Sequence, residues 1–275
     1  MKKTISSLLL IVVIATLFIA GCTQPVTIQN TPQPTTVQPM KELTAQPTGD
    51  TIKVTSTSLG EILVDAQGKT LYYFANDIPA SNVSSCNGQC TLVWPVFAAD
   101  TIIVSSPLIS SEFTSFTRPD GKKQTTFRGW PLYYYQADTK PRDTNGDNVL
   151  NVWFVVKVDE TVMIAHQGTV GTFLTDKLGK TLYFFTKDTS GTSTCTGACL
   201  AKWPAFNGVP VSAPSVVKHE DFTTITRTDG VKQTAYMNRP LYYFADDAKP
   251  GEIQGQGFNT LWFVANVSGA LPVVT

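Results

Sequence analysis

The side chains best equipped for chemistry in this chain are its cysteines. Four of the five stand in two short segments, Cys86-Asn-Gly-Gln-Cys90 and Cys195-Thr-Gly-Ala-Cys199, each followed four residues later by tryptophan-proline (Trp94-Pro95 and Trp203-Pro204). Cysteines at this spacing can close a local disulfide, although the geometry is tight. Because both segments carry the pair, local pairing is favoured over the two cross-connected alternatives. Such bonds would staple loops in an oxidising compartment. The competing reading is an envelope redox or electron-transfer protein that cycles the same pairs between dithiol and disulfide. A thioredoxin-like site places two residues between its cysteines, not three, beside a βαβ pattern that this sequence lacks. A copper site needs imidazole support, yet tryptophan stands where that histidine would belong. A zinc site made from all four cysteines would have to bridge the two segments.

A second segment is rich in oxygen donors. Asp143-Thr144-Asn145-Gly146-Asp147 has the spacing with which a calcium loop begins, making Asp143, Asn145 and Asp147 candidate ligands. The twelfth position, however, holds Phe154 in place of glutamate, and a solvated turn uses the same residue types. No nucleophile elbow, phosphate loop, HExxH helix or haem-attachment motif occurs. The sequence therefore assigns no catalytic residue and no cofactor, and a non-catalytic role is favoured. Basic and acidic residues balance at 21 each, with no basic block among the aromatics, so nucleic acid is not an expected partner.

The stretch that must position these segments is written four times: Tyr72-Tyr73-Phe74-Ala75-Asn76-Asp77, Tyr133-Tyr134-Tyr135-Gln136-Ala137-Asp138, Tyr183-Phe184-Phe185-Thr186-Lys187-Asp188 and Tyr242-Tyr243-Phe244-Ala245-Asp246-Asp247. Three consecutive aromatics favour a pleated strand, and the closing aspartates suit turns. Alternation puts the first and third aromatics on one face, read as core, and the middle ones on the other. Tyr73, Tyr134, Phe184 and Tyr243 are then either buried as well or form an aromatic surface. Such a surface would suit a sugar, a cell-envelope polymer or a protein partner.

The chain also repeats at long range. Cys86, Cys90, Trp94-Pro95, Arg118, Asp120-Gly121, Gln124-Thr125 and Trp153-Phe154-Val155 all recur 109 positions later, and Gly68-Lys69-Thr70-Leu71-Tyr72 recurs 111 later. Two homologous units follow, 50–159 and 160–275. In the first unit, strands are expected over 59–65, 70–75, 113–118, 122–127, 132–136 and 153–158. Aspartate-glycine hairpin signals separate some of them. The expected fold is mainly β: two tandem antiparallel barrel-like or sandwich-like units. Each carries one short helix on which Cys86, Cys90 and Trp94, or their counterparts, share a stripe.

Residues 1–21 read as a signal peptide, with Lys2 and Lys3 ahead of the 13-residue apolar run Leu8 to Ala20. Ile19-Ala20-Gly21-Cys22 resembles the lipobox of prokaryotic lipoproteins, which makes Cys22 the lipid-attachment residue and leaves four cysteines to pair evenly. Residues 22–49 continue as a tether, with Thr, Gln and Pro at 17 of the 26 positions from Thr23 to Thr48. Extended, it would reach roughly 80 Å. The expected location is the outer face of a prokaryotic membrane, at the cell surface or in the periplasm, with the membrane as partner through the lipid.

The four Tyr-x-(Phe/Trp/Tyr)-x-x-Asp copies, Gly-Lys-Thr-Leu-Tyr, the cysteine pairs and Trp-Pro resemble the secreted-repeat lipoproteins that carry this motif, over residues 59–267. The motif positions are Tyr72, Phe74, Asp77; Tyr133, Tyr135, Asp138; Tyr183, Phe185, Asp188; and Tyr242, Phe244, Asp247. The resemblance implies an exported, often lipid-anchored repeat protein. It implies no particular chemistry.

Overall fold

The computed structural model describes Gly49 and residues 51–270. The signal segment, Cys22 and the tether before Gly49 lie outside the described residues. The expected β architecture is present, but as small antiparallel sheets of two or three strands and not as a closed barrel. In the first half, β1 (Ile52–Thr57) and β2 (Gly60–Asp65) form a hairpin. β3 (Tyr72–Phe74) follows, and a one-turn helix, α1 (Cys90–Val93), carries the second cysteine. β4 (Phe113–Thr117) and β5 (Lys123–Phe127) make a second hairpin, joined by β6 (Trp130–Pro131). β7 (Trp153–Val155) closes the half by pairing with β3, Tyr73 opposite Phe154.

The second half repeats this order: β8 (Val162–Gln167), β9 (Gly171–Asp176), β10 (Tyr183–Phe185), α2 (Ala198–Lys202), β11 (Phe222–Thr226), β12 (Lys232–Tyr236), β13 (Arg239–Pro240) and β14 (Trp262–Val264). β10 pairs with β14 in the register of β3 with β7.

Local chemistry explains the turns. Asp65 Oδ1 accepts the N–H groups of Gln67 and Lys69, and Asp176 Oδ1 those of Leu178 and Lys180, so each aspartate stands in for a missing ladder at a tight reversal. Gly68 and Gly179 complete these turns at positive φ. The strands that follow run for only three residues, too few to close a sheet on itself. Side-chain bonds take over where ladders end.

Three expectations are corrected. The opening strands β1 and β8 were not among those expected, although Ile52-Lys53-Val54-Thr55 alternates and Val162-Met163-Ile164-Ala165 is apolar throughout. The helices are shorter than a Cys86–Cys90–Trp94 stripe requires: Cys86 precedes α1, and Trp94 ends it by donating its N–H to Cys90 O at 2.8 Å. Gly88 and Gly197, both at positive φ between the paired cysteines, break any longer helix. The barrel is absent for the reason given above.

The described residues belong to one compact unit, and a single apolar cluster runs through both halves. β8 is the seam. His166 N–H donates to Ala75 O at 2.7 Å, Ile164 N–H to the Tyr73 hydroxyl at 3.2 Å, and Trp130 Nε1–H to Lys177 O at 3.2 Å.

Candidate functional site

The repeated motif builds one arrangement twice. In the first half Tyr72 and Tyr133 exchange backbone bonds, each N–H reaching the other's carbonyl at 2.9 Å. Their hydroxyls then cross over. Tyr72 donates to Asp138 Oδ2 at 2.6 Å and Tyr133 to Asp77 Oδ2 at 2.5 Å, so each tyrosine bonds the aspartate of the other copy. The second half repeats the crossing, Tyr183 to Asp247 and Tyr242 to Asp188, both at 2.6 Å. The other oxygen of each aspartate accepts a loop N–H: Ser85 on Asp77, Asn145 on Asp138, Thr194 on Asp188 and Gln254 on Asp247. The expected turn-acceptor role therefore holds, and the tyrosine is the partner that it did not include.

Electrostatics follow from burial. Desolvation raises all four carboxyls, with Asp77 pushed up to about 6 against the opposing pull of its bonds to Tyr133 and Ser85. Burial, reinforced by the facing carboxylates, holds the four phenols well above their ordinary value. Neutral phenol donating to carboxylate is thus the stable state. A hydrogen bond to a charged group is worth about 1.5–3 kcal/mol.

The third motif positions close a stack of rings. Phe74 lies on Trp153 at 4.1 Å, Trp153 on Trp94 at 3.8 Å and 2°, and Trp94 on Tyr135 at 4.3 Å. Phe185, Trp262, Trp203 and Phe244 repeat the order at 4.1, 3.8 and 4.3 Å. Exchanging the two motif copies maps each stack and each crossed pair onto itself, so every half has an internal pseudo-twofold axis between its tryptophans. Gly146 permits this closeness, since a Cβ there would lie 2.9 Å from both the Trp94 and Tyr72 rings.

Both disulfides are formed, Cys86–Cys90 and Cys195–Cys199, each with Cα atoms 5.3 Å apart. Cys86 and Cys195 are buried, whereas Cys90 and Cys199 are half-buried. Each loop is held by a buried arginine. Arg118 donates to Cys86 O at 2.7 Å and to Gln124 Oε1 at 2.6 Å; Arg227 donates to Cys195 O at 2.6 Å and to Gln233 Oε1 at 2.8 Å. Gln124 and Gln233 in turn donate to the carbonyls of Leu132 and Leu241, just ahead of the motif. Recurrence of Arg118, Gln124 and their counterparts was visible in the sequence. Their shared role was not, because it needs three segments brought together.

The three candidate calcium ligands make hydrogen bonds within the first half. Asp143 Oδ2 accepts the N–H groups of Thr139 and Lys140, Asn145 bonds Asp138, and Asp147 Oδ1 accepts Val155 N–H. Glu252, Gln254 and Gln256 do the same work in the second half, on Ala248 and Lys249, on Asp247, and on Val264. Residues that differ in charge thus keep the same backbone bonds in the two halves. No acidic, cysteine and histidine cluster among the described residues has metal-binding geometry.

The four middle aromatics divide into two buried and two half-buried side chains. Tyr73 and Phe184 are fully buried. Tyr134 and Tyr243 are half-buried, with hydroxyls bonded to Asp65 Oδ2 at 2.8 Å and Asp176 Oδ2 at 3.1 Å.

Fold and site define a class: duplicated β-repeat proteins whose motif tyrosines and aspartates bond across neighbouring repeats and whose cysteines close local disulfide loops. A family model described as a secreted repeat of unknown function matches four segments, 53–98, 114–157, 165–207 and 223–266, which together exceed half of the chain. The chain belongs to this family. No curated protein and no solved structure matches it. The four matches start within or just after the starts of the four hairpins, so each half consists of two diverged repeats. The disulfide loop of one repeat takes the place of the Asp143 or Glu252 loop in the next.

Proposed function

We propose that the chain is a lipid-anchored, non-catalytic binding or scaffolding module on the outer face of a prokaryotic membrane. Residues 1–21 direct export, Cys22 takes the lipid, and 22–49 hold two repeat units, 50–159 and 160–275, away from the bilayer. The observation that carries the non-catalytic reading is the crossed bonding of Tyr72, Tyr133, Tyr183 and Tyr242 to the motif aspartates, which commits the repeated side chains of this chain to architecture. Burial of Cys86 and Cys195 supports staples over an exchange-active pair.

The anchor is tested by metabolic labelling with a fatty-acid analogue: the wild type is labelled and sediments with membranes, and Cys22→Ser is not. Labelling that persists in Cys22→Ser would remove the anchor. Binding is tested by equilibrium sedimentation with isolated cell-envelope polymer, where saturable association is expected. The redox alternative is tested by thiol alkylation across glutathione buffers. All four cysteines are expected to stay blocked between about −120 and −270 mV, the range of exchange-active proteins. Opening of either pair there would move the function to redox chemistry.

A further inference from the structure

The seam between the halves has two surfaces, and the repeat architecture presents each of them a second time at the outer side of a half. The surface on the first half consists of Tyr73, Ala75, Ile78, Pro79 and Trp130. The surface on the second half is the β8–β9 hairpin, with Met163 and Ala165 buried, Lys177 O accepting from Trp130 and Gly179 against Pro79. Gly179 must be glycine, because a Cβ there would come within 2.2 Å of Pro79 Cγ. The seam is a heterologous contact, the kind that adds copies without limit unless something stops it.

At the far end of the second half, the positions equivalent to Tyr73, Ile78, Pro79 and Trp130 are Phe184, Thr189, Ser190 and Arg239. Pro79 and Trp130 are buried in the seam, whereas Ser190 is exposed and Arg239 is half-exposed, its guanidinium 5.7 Å over the Phe184 ring. A cleft of about 360 Å³, lined by Thr186, Asp188, Thr189, Ser190, Asn238 and Arg239, stands where the first half receives β8; Asp188 is already bonded to Tyr242 and Thr194.

The near end is changed in the complementary way. Matching the hairpin registers puts Lys53 at the position of Met163 and Thr55 at that of Ala165. Lys53 Nζ donates to Ala66 O at 3.1 Å. Ala66 is the counterpart of Lys177, so this carbonyl is the one that takes the Trp130 indole in the seam. Arg142, the counterpart of Gly251, donates to Ser56 O on the β1 edge. Both cations satisfy edge acceptors from within the same half, a device that blunts open strands.

We infer that the two ends of the body are blocked copies of the interface that joins its halves, and that Lys53, Arg142 and Arg239 prevent a second copy of this chain from adding head to tail. Two cations at the near end would face Arg239 at the far end of a neighbour. Apolar contact is lost, and like charge opposes approach. Terminal repeats with polar outer faces serve the same purpose in other repeat arrays.

The test restores the seam residues in the full chain, studied by sedimentation velocity in density-matched detergent. The wild type is expected to remain a monomer. Lys53→Met with Arg142→Gly, and separately Ser190→Pro with Arg239→Trp, are each expected to stay monomeric alone and to form a one-to-one complex on mixing. A chain carrying all four changes is expected to grow in mean mass at least threefold with concentration. Head-to-tail association of the wild type, or monomers from mixed variants whose near-ultraviolet circular dichroism matches the wild type, would overturn the inference. Should the tail variant not fold, the reverse exchange decides. Met163→Lys with Trp130→Arg places the blocking chemistry inside the seam, and cleavage between the halves should speed up at least tenfold. An unchanged cleavage rate would overturn it equally.

Discussion

Glu160 is the residue least expected from the sequence. It is buried beside the seam, its Oε1 has no hydrogen-bond partner, and its Oε2 has only a long contact of 3.4 Å with Lys157 N–H. Burial pushes its carboxyl up to about 8, against a smaller pull from Lys157. A folded-state value raised above the unfolded one means that the stabilisation is complete below about 4.5 and is lost as pH rises through about 8. Glu160→Gln cannot ionise. Its melting temperature is expected to match the wild type at pH 4 and to exceed it at pH 9, and parallel curves would refute the assignment. Asp77, raised to about 6, contributes in the same direction at lower pH. Gly146 offers a second test at this scale. Gly146→Ala forces a methyl against Trp94 and Tyr72 and should cost about 1–3 kcal/mol in urea denaturation.

Among the elements, the ring stacks and stapled loops behave as units. The parallel Trp94–Trp153 and Trp203–Trp262 pairs, both at 3.8 Å, should give an exciton couplet in circular dichroism. Trp94→Phe is expected to halve it and leave the second half's contribution intact; an unchanged couplet would mean that the first pair is not stacked. Much of this scale was legible in the sequence. The constant offset of 109 marked the duplication, and paired cysteines in both copies marked the loops. Asp65 and Asp176 announced their turns through the glycine three residues on. What stayed hidden was whatever depends on distant segments. The third motif positions read as core, but nothing along the chain says that Phe74 and Tyr135 enclose two tryptophans, one at the end of α1 and one in β7. β1 and β8 are hard to read because the alternation of one covers only four residues and the other is an unbroken apolar run.

At the scale of the whole molecule, four diverged repeats make two pseudo-symmetric halves joined through β8. Middle motif residues were ambiguous in the sequence because an apolar strand face can be either core or binding surface. Tertiary packing buries Tyr73 in the seam and Phe184 in the second half, and leaves Tyr134 and Tyr243 half-buried. The fourfold repeat was half visible: four motifs were plain, but neighbouring copies differ in their loops, so only the 109-residue register stood out.

The central claim is that the motif is a lock between repeats. The measurement that tests it most directly is a double-mutant cycle on Tyr72→Phe and Asp138→Asn, followed by urea denaturation. Each single change should destabilise the chain, and the pair should cost less than the sum, with a coupling of about 1–3 kcal/mol. Additive effects, or single variants as stable as the wild type that lose envelope binding, would show that the tyrosines and aspartates serve a ligand and not the fold.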